Sequence, residues 1–505
     1  MYSIQKSRQQ RSKKQDLEEL LKREEKLLCV DPTEENYLAF QKTSSDLNNI
    51  LLKEAEGRQI RARARWVEKG EKSTKYFFGL EKRNNVKKNI VKLKTEKGKV
   101  VTDLDGILKE EVNFYKNLYC EKPQSLSFDD FVSEVELPTL SQTHRNSCEG
   151  LISEEECYRV LRKMKKNKSP GYDGFTIEFY CVCWPLLGSL IVDSFNSAFN
   201  NGSLSISQQR GVITLLHKKN EPELLKNWRP VSLLCTDYKI LTQVLSNRVS
   251  NVISNIVNPD QVGYIKGRFV GEIVRLIDDM YHYTARHNIP GAVLYVDFEK
   301  AFDCINWEFM HQSLERFGFG PEFRRWVKVI YSDVQSCIIN NGWMSNFFSL
   351  TRGVRQGCPL SALLFVMCVE VLACKIRQCT EIEGIQLPCD NLHRNVVKIA
   401  QLADDTTLFL KDEKSIIKVL KFLEDFEKTS GLKMNKDKTE GVWLGKKRSC
   451  KKQIQGLKWT DQPVKALGVW FGYDRLKCEQ LNWEPKVAKF ENVLKSWGKR
   501  FNALG

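Results

Sequence analysis

The run Val396-Val397-Lys398-Ile399-Ala400-Gln401-Leu402-Ala403-Asp404-Asp405-Thr406-Thr407-Leu408-Phe409-Leu410 joins two short apolar, β-prone segments at a pair of adjacent carboxylates. Strand-forming residues on both sides of Asp-Asp predict a hairpin whose tight turn carries both acids. Like charges side by side repel, so the pair needs an account. It reads either as a solvated turn, for which Asp is well suited, or as a hard-metal site whose bound cation relieves the repulsion. The second reading requires a third acid from elsewhere.

The run Gly291-Ala-Val-Leu-Tyr-Val-Asp297 supplies one: an apolar strand that stops abruptly at a carboxylate, where a neighbouring hairpin can meet it. Alone, Asp297 reads equally as a strand-end cap. Two strands delivering three acids to one point have the layout of two-metal phosphoryl transfer, with cations roughly 3.5–4 Å apart.

In chain order, Tyr295-Val-Asp297-Phe298-Glu-Lys-Ala-Phe302-Asp303, Gly353-Val-Arg355-Gln356-Gly357-Cys-Pro359-Leu-Ser361 and Leu402-Ala403-Asp404-Asp405 resemble the catalytic motifs of reverse transcriptases. The likeness is to the non-long-terminal-repeat (LINE-type) retrotransposon polymerases. Supporting blocks fall in family order: Lys168-Ser-Pro170-Gly171-Tyr-Asp173-Gly174, Asn227-Trp228-Arg229-Pro230, Asp260-Gln261-Val-Gly263-Tyr-Ile-Lys-Gly267-Arg268 and Gly431-Leu-Lys-Met-Asn435-Lys-Asp-Lys438-Thr439. The resemblance runs from roughly Arg58 to the C-terminus, and seven motifs in order make coincidence a poor explanation. Leu402-Ala403 departs from the Phe-Ala commonest in LINE-type enzymes, at a position that supports the hairpin rather than binding metal.

This resemblance implies an α+β right hand, with fingers, a palm with an antiparallel sheet and a partial thumb, preceded by an α-helical basic extension. The expected division is 1–57 helical, 58–150 template-binding, 151–290 fingers, 291–445 palm, and 446–505 primer grip and start of the thumb. The implied activity is RNA-directed DNA synthesis, with dNTPs added to a DNA primer on an RNA template. Asp297, Asp404 and Asp405 then hold two Mg²⁺ (or Mn²⁺) ions, with the main-chain carbonyl of Phe298 as a further ligand. Lys438 matches a position near the leaving pyrophosphate and acts as general acid.

Lys218 or Lys219, with Arg229, grips the triphosphate; an Arg clamps phosphate bidentately. Phe302 lies under the sugar and excludes a 2′-hydroxyl, although core packing accounts for it equally well. Gln356 and Gly357 position the nucleotide, while Lys168, Arg268 and Arg355 approach nucleic acid. The rival readings are a group II intron-type polymerase and maturase, and an inert element remnant that only binds RNA. The sequence reads as the polymerase core of a larger element, with no reading of its oligomeric state.

Bulk properties agree with a globular nucleic-acid-binding protein. In 505 residues, 42% are hydrophobic, enough for a sizeable core, and 79 Lys and Arg against 63 Asp and Glu give a charge of +16. Between Arg58 and Lys94, thirteen basic residues face three acids, with Trp66, Tyr76, Phe77 and Phe78 interleaved. That composition suits phosphate neutralisation and base stacking, with Arg58, Arg61, Arg65 and Lys69 as contacts, or else a solvated basic face with its aromatics in a core.

No apolar run is read as reaching the ~20 residues of a membrane span, and the N-terminus has no signal-peptide core, so an intracellular protein is expected, cytoplasmic or nuclear and away from membranes. The sixteen cysteines show no zinc-knuckle spacing and read as buried thiols. Toward the N-terminus, Leu17, Leu20, Leu21, Leu27 and Leu28 predict one amphipathic helix, and Asp31-Pro32 predicts the capped start of another.

Overall fold

The computed structural model describes residues 14–27, 31, 33–62, 90–95, 98–218, 220–387 and 396–501. The chain divides into two compact units, Met1–Leu93 with Leu216–Asn227, and Lys94–Leu215 with Trp228–Gly505.

In the first unit both expected helices are present, at 14–27 and at Glu34–Ala62. The second begins later than Asp31: Thr33 Oγ1 accepts from Asn36 N at 3.4 Å, as an N-cap does. Asp31 instead takes the Asn36 side chain on its carbonyl. Residues 63–89, with most of the basic stretch, lie outside the described residues.

The second unit mixes helix and sheet. Its main sheet has the order Ile399–Leu402, Asp405–Leu410, Gly291–Val296, Glu440–Leu444, Lys458–Trp459, antiparallel except for the last pair. The central strand, Gly291–Val296, is buried at all six positions and alternates between two cores. Ala292, Leu294 and Val296 join the larger core, with Leu408 and Leu410 from the neighbouring strand. Val293, Tyr295, Phe409 and Val442 face the other, against Ile273, Ile277, Met280 and Tyr281 of helix Val270–Arg286. The strand period of two thus explains why this sequence is apolar throughout rather than alternating.

Beneath the larger face lie helix Ser361–Gln378, almost wholly buried, and helix Glu413–Ser430, which ends on Gly431 at φ 78°. A second sheet orders Trp228–Leu234, Arg210–His217, Gln335–Asn340 and Trp343–Met344, with Phe348–Ser349 also on Gln335–Asn340. Strands Val464–Ala466 and Val469–Phe471 form a hairpin, turning through Leu467 and Gly468 at positive φ. The last helix is Arg475–Phe501.

One expectation fails. Helix Ile177–Asn201 has 25 residues and contains an 18-residue window of mean hydropathy 1.3, long and apolar enough to cross a membrane by length and composition. Pro185 and scattered polar residues hid this length in the sequence. One face of the helix, including Tyr180, Trp184, Val192, Phe195 and Phe199, packs into the large core, while Val182, Leu186 and Leu190 are exposed. Among the cysteines, Cys368 and Cys374 are buried as expected, Cys181, Cys183 and Cys379 are half-buried, and Cys120 and Cys450 are exposed.

Helix Leu104–Leu118 turns Ile107, Glu111 and Tyr115 inward. Glu111 is fully buried, accepts one bond from Asn340 Nδ2 at 2.9 Å, and burial raises its carboxyl from 4.5 to about 8. Between those values the unfolded chain has released a proton that the folded chain keeps, so stability falls as pH rises through the window and levels off above it. Glu111→Gln keeps the acceptor for Asn340 and cannot ionise. Urea midpoints at about pH 5 and about pH 9 are expected to fall less in this variant than in the parent, and equal falls would count against a buried neutral acid.

Candidate functional site

Pairing of Leu402 with Asp405 leaves Ala403 and Asp404 as a two-residue turn, with Ala403 in the left-handed region at φ 56°. A non-glycine residue is disfavoured there and needs support. Gln261 supplies it: its Oε1 accepts from Ala403 N at 2.8 Å and Gly263 N at 2.9 Å, and its Nε2 donates to Ala403 O at 3.3 Å. Its main chain runs parallel to Gln401, with Val262 N donating to Gln401 O and Gln401 N to Asp260 O. Gly263 fits so closely that a Cβ there would stand 2.4 Å from Ala403 N. Behind this wedge, Arg377 grips Asp260 with two 2.9 Å bonds and also pairs with buried Glu370.

The last registered pair between the central strand and the hairpin is Val296 with Thr406. Asp297 and Asp405 are the residues immediately beyond that pair on the two strands. Asp297 is anchored by Asn435 N on its carbonyl at 2.8 Å and by Thr439 Oγ1 on its amide at 3.4 Å. Lys438 Nζ lies 3.3 Å from Asp297 Oδ2. Phe298 forms an isolated bridge with Met434 and buries its ring.

Around these acids stand several groups expected from the sequence. Phe302 is stacked on Phe365, ring centroids 4.5 Å apart, and meets the edge of Tyr264 at 6.3 Å. Burial, reinforced by the Asp404 charge and opposed by Arg229, raises the Tyr264 hydroxyl above its ordinary range. Arg229, Tyr264, Phe302 and Asp404 therefore share one neighbourhood. Gln356 is half-buried, with its Nε2 on Asp303, and its carbonyl accepts from Ser232 N at 2.8 Å. Gly357 has φ 125° and its missing Cβ leaves room for the Ser232 carbonyl, a close approach only glycine allows.

Other expected residues stand apart. Arg355 is buried, donates to the carbonyls of Gln208 and Gln209, and stacks on Tyr238. Arg268 spends its guanidinium on the carbonyls of Val257, Asn258 and Gln261. These bonds brace the two loops, with Arg355 buried and Arg268 half-buried. Lys168 is exposed, Lys218 is exposed in the first unit, and Lys219, Arg65 and Lys69 lie outside the described residues. Arg58 and Arg61 fall on helix Glu34–Ala62.

A further cluster, Asp173, Cys235 and Asp237, brings ligand-type atoms within 4.8 Å of one another. Burial pushes the Cys235 thiol up to about 12, so it keeps its proton, and Asp237 accepts from Gln208 Nε2. This is a polar core brace rather than an evident cation cage. Gln261 and Tyr264 lie in the Asp260–Arg268 motif, and nothing local marks their roles, because Gln261 meets Ala403 and Tyr264 meets Phe302 only through the fold.

Residues 216–471 match the reverse transcriptase (RNA-dependent DNA polymerase) family, to which the chain belongs. It is 32% identical over 439 residues to the transposon TX1 uncharacterized 149 kDa protein of Xenopus laevis, covering 86% of this chain and 33% of that protein. It is 24% identical over 330 residues to the retrovirus-related Pol polyprotein from the type-2 retrotransposable element R2DM of Drosophila melanogaster, with 63% and 30% covered. With the probable RNA-directed DNA polymerase from transposon BS of the same fly, identity is 22% over 282 residues, 51% and 27%. The chain spans about a third of the length of the curated relatives it matches. These relatives, all from transposons, agree with the LINE-type resemblance.

Gln261→Leu keeps the volume but strips the amide from the turn, leaving buried Ala403 N–H and Gly263 N–H without that acceptor. A loss on the order of 2 kcal/mol is expected from urea unfolding. An unchanged midpoint would mean the turn holds without its clamp.

Proposed function

We propose that this chain is the polymerase core of a LINE-type element, copying an RNA template into DNA by adding dNTPs to a primer 3′-hydroxyl. The observation that supports the reading is the register ending at Val296 and Thr406, which leaves Asp297 and Asp405 as the next residues of adjacent strands, with Asp404 in the adjoining turn and Lys438 3.3 Å from Asp297. Three carboxylates on adjoining strand ends, two half-buried and one exposed, are hard-oxygen donors of the type that suits Mg²⁺ or Mn²⁺. Asp297, Asp404, Asp405 and the Phe298 carbonyl would hold two such ions. When bound, these supply Lewis-acid activation of the attacking hydroxyl and charge neutralisation on the departing pyrophosphate.

The remaining work belongs to side chains. Lys438 gives a proton to the leaving pyrophosphate. Arg229, exposed beside the Tyr264–Phe302 pair, holds the triphosphate, with Lys218 or Lys219 assisting. Phe302, braced by Phe365, stands where a 2′-hydroxyl would otherwise fit. The basic segment from Arg58 to Lys94 and Lys168 bind the template through phosphates, so binding is salt-sensitive and weakly sequence-selective. The fingers comprise 151–290, the palm 291–445, and the thumb begins at the last helix. The protein acts inside the cell as a ribonucleoprotein, away from membranes.

Primer extension on an RNA template with Mg²⁺ and dNTPs tests this reading, beside Asp404→Ala. Extension by the parent and none by the variant, with RNA binding equal in both, is expected. Tight salt-dependent RNA binding without extension would replace the proposal by an inert RNA-binding remnant. Phe302→Val is expected to improve ribonucleotide use relative to deoxynucleotides by about tenfold in kcat/KM, or about 1.4 kcal/mol; unchanged discrimination would assign Phe302 to packing alone.

A further inference from the structure

Asp303 is a carboxylate in a place that ordinarily excludes one. It sits on the single turn Ala301–Cys304 directly after Phe302, and its side chain is 1% exposed. A buried ionised acid costs several kcal/mol unless its oxygens are satisfied. Its partners are Tyr119, whose hydroxyl donates to Oδ1 at 2.8 Å, and Gln356, whose Nε2 lies 3.1 Å from both Oδ1 and Oδ2. Lys300 and Arg229 add favourable charge, yet burial still raises its carboxyl from 3.8 to about 6. Tyr119 is itself fully enclosed and comes from the segment after helix Leu104–Leu118, with its carbonyl accepting from Thr351 N just before the Gln356 loop.

The chemistry of these partners fixes an orientation. A carboxylate only accepts hydrogen bonds, so only the NH₂ side of the Gln356 amide can face it. An amide is planar with its oxygen opposed to its nitrogen, and a free glutamine can present either by a half-turn of its last torsion. Asp303 removes that choice, and Tyr119 holds Asp303 in place by occupying one of its oxygens.

We infer that Asp303 and Tyr119 are positioning residues that lock the Gln356 amide with its oxygen outward, making Gln356 a hydrogen-bond acceptor for a donor group on the incoming nucleotide. This rests on the proposed polymerase reading and deepens it. The donor is a sugar hydroxyl or a base N–H, which share the chemistry of an acceptor-directed contact. The lock operates while Asp303 is ionised. Protonation, as pH falls through about 6, gives the acid an O–H of its own and ends the restriction.

The test is a double-mutant cycle in steady-state primer extension with Asp303→Asn, Gln356→Leu and the pair. Asparagine fills the same space but can offer either a donor or an acceptor, so the amide of Gln356 is freed without a cavity. Asp303→Asn is expected to raise KM for dNTP about tenfold with kcat within about threefold, and to add nothing in the Gln356→Leu background. Tyr119→Phe is expected to do the same more weakly. Urea midpoints at or above the parent's for Asp303→Asn separate lost orientation from lost folding.

Comparison with 2′,3′-dideoxynucleotides divides the sources. A parent preference for the 3′-hydroxyl that disappears in Asp303→Asn identifies a sugar donor; a KM change equal for both nucleotide types identifies the base. Additive effects in the cycle, or an unchanged KM in Asp303→Asn, would overturn the inference while leaving the polymerase reading intact. Absence of Asp404-dependent extension in the parent would remove both.

Discussion

The register between Val296 and Thr406 is the constraint on which the site depends. Carboxylates repel, and nothing in their own chemistry draws Asp297 toward Asp405. Apolar burial on both faces of the central strand brings them together, because a slip of one residue would exchange Val293 and Tyr295 with Ala292, Leu294 and Val296 between two different cores. The turn adds a second constraint. Its left-handed Ala403 is tolerable only because the Gln261 amide satisfies that residue's N–H and C=O, and Gly263 leaves space for the contact. The wedge is braced in turn by Arg268 and by the Arg377 pairs to Asp260 and Glu370.

The interior therefore spends stability on orientation. Glu111, Asp303 and Glu370 are buried carboxyls, each raised by desolvation, and apolar side chains of similar shape would remove that cost. Asp303 borders the proposed nucleotide pocket and Glu370 stands behind the Ala403–Asp404 turn. Glu111 joins a helix to the second sheet through Asn340.

Local pattern made part of this architecture legible. The hairpin around Asp404 and Asp405, the strand ending at Asp297 and the two N-terminal helices follow from periods and turn chemistry that operate within about a dozen residues. The order of the strands does not, since it depends on which apolar faces match across the chain. The arginines show the same divide. In a loop rich in glycine, Arg355 and Arg268 look like nucleic-acid contacts, but the loops have unpaired carbonyls of their own, and the guanidinium groups satisfy those first. Thr33 displaced Asp31 as a cap for a related reason: several residues were chemically suited, and only geometry chose between them. Gln261 was invisible as a clamp because the sequence does not reveal that the turn it supports is left-handed.

The enclosure of strand Gly291–Val296 has a consequence for movement. Paired along both edges and covered on both faces, it cannot shift without opening two cores together, so its amides belong to the slowest-exchanging part of the chain. Asp297, at its end, inherits that stillness, whereas Arg229, Tyr264 and the Gln356 loop stand on segments with an open side. Any rearrangement at this site therefore takes place around a stationary acid, which makes Asp297 the fixed point against which the open-sided segments move.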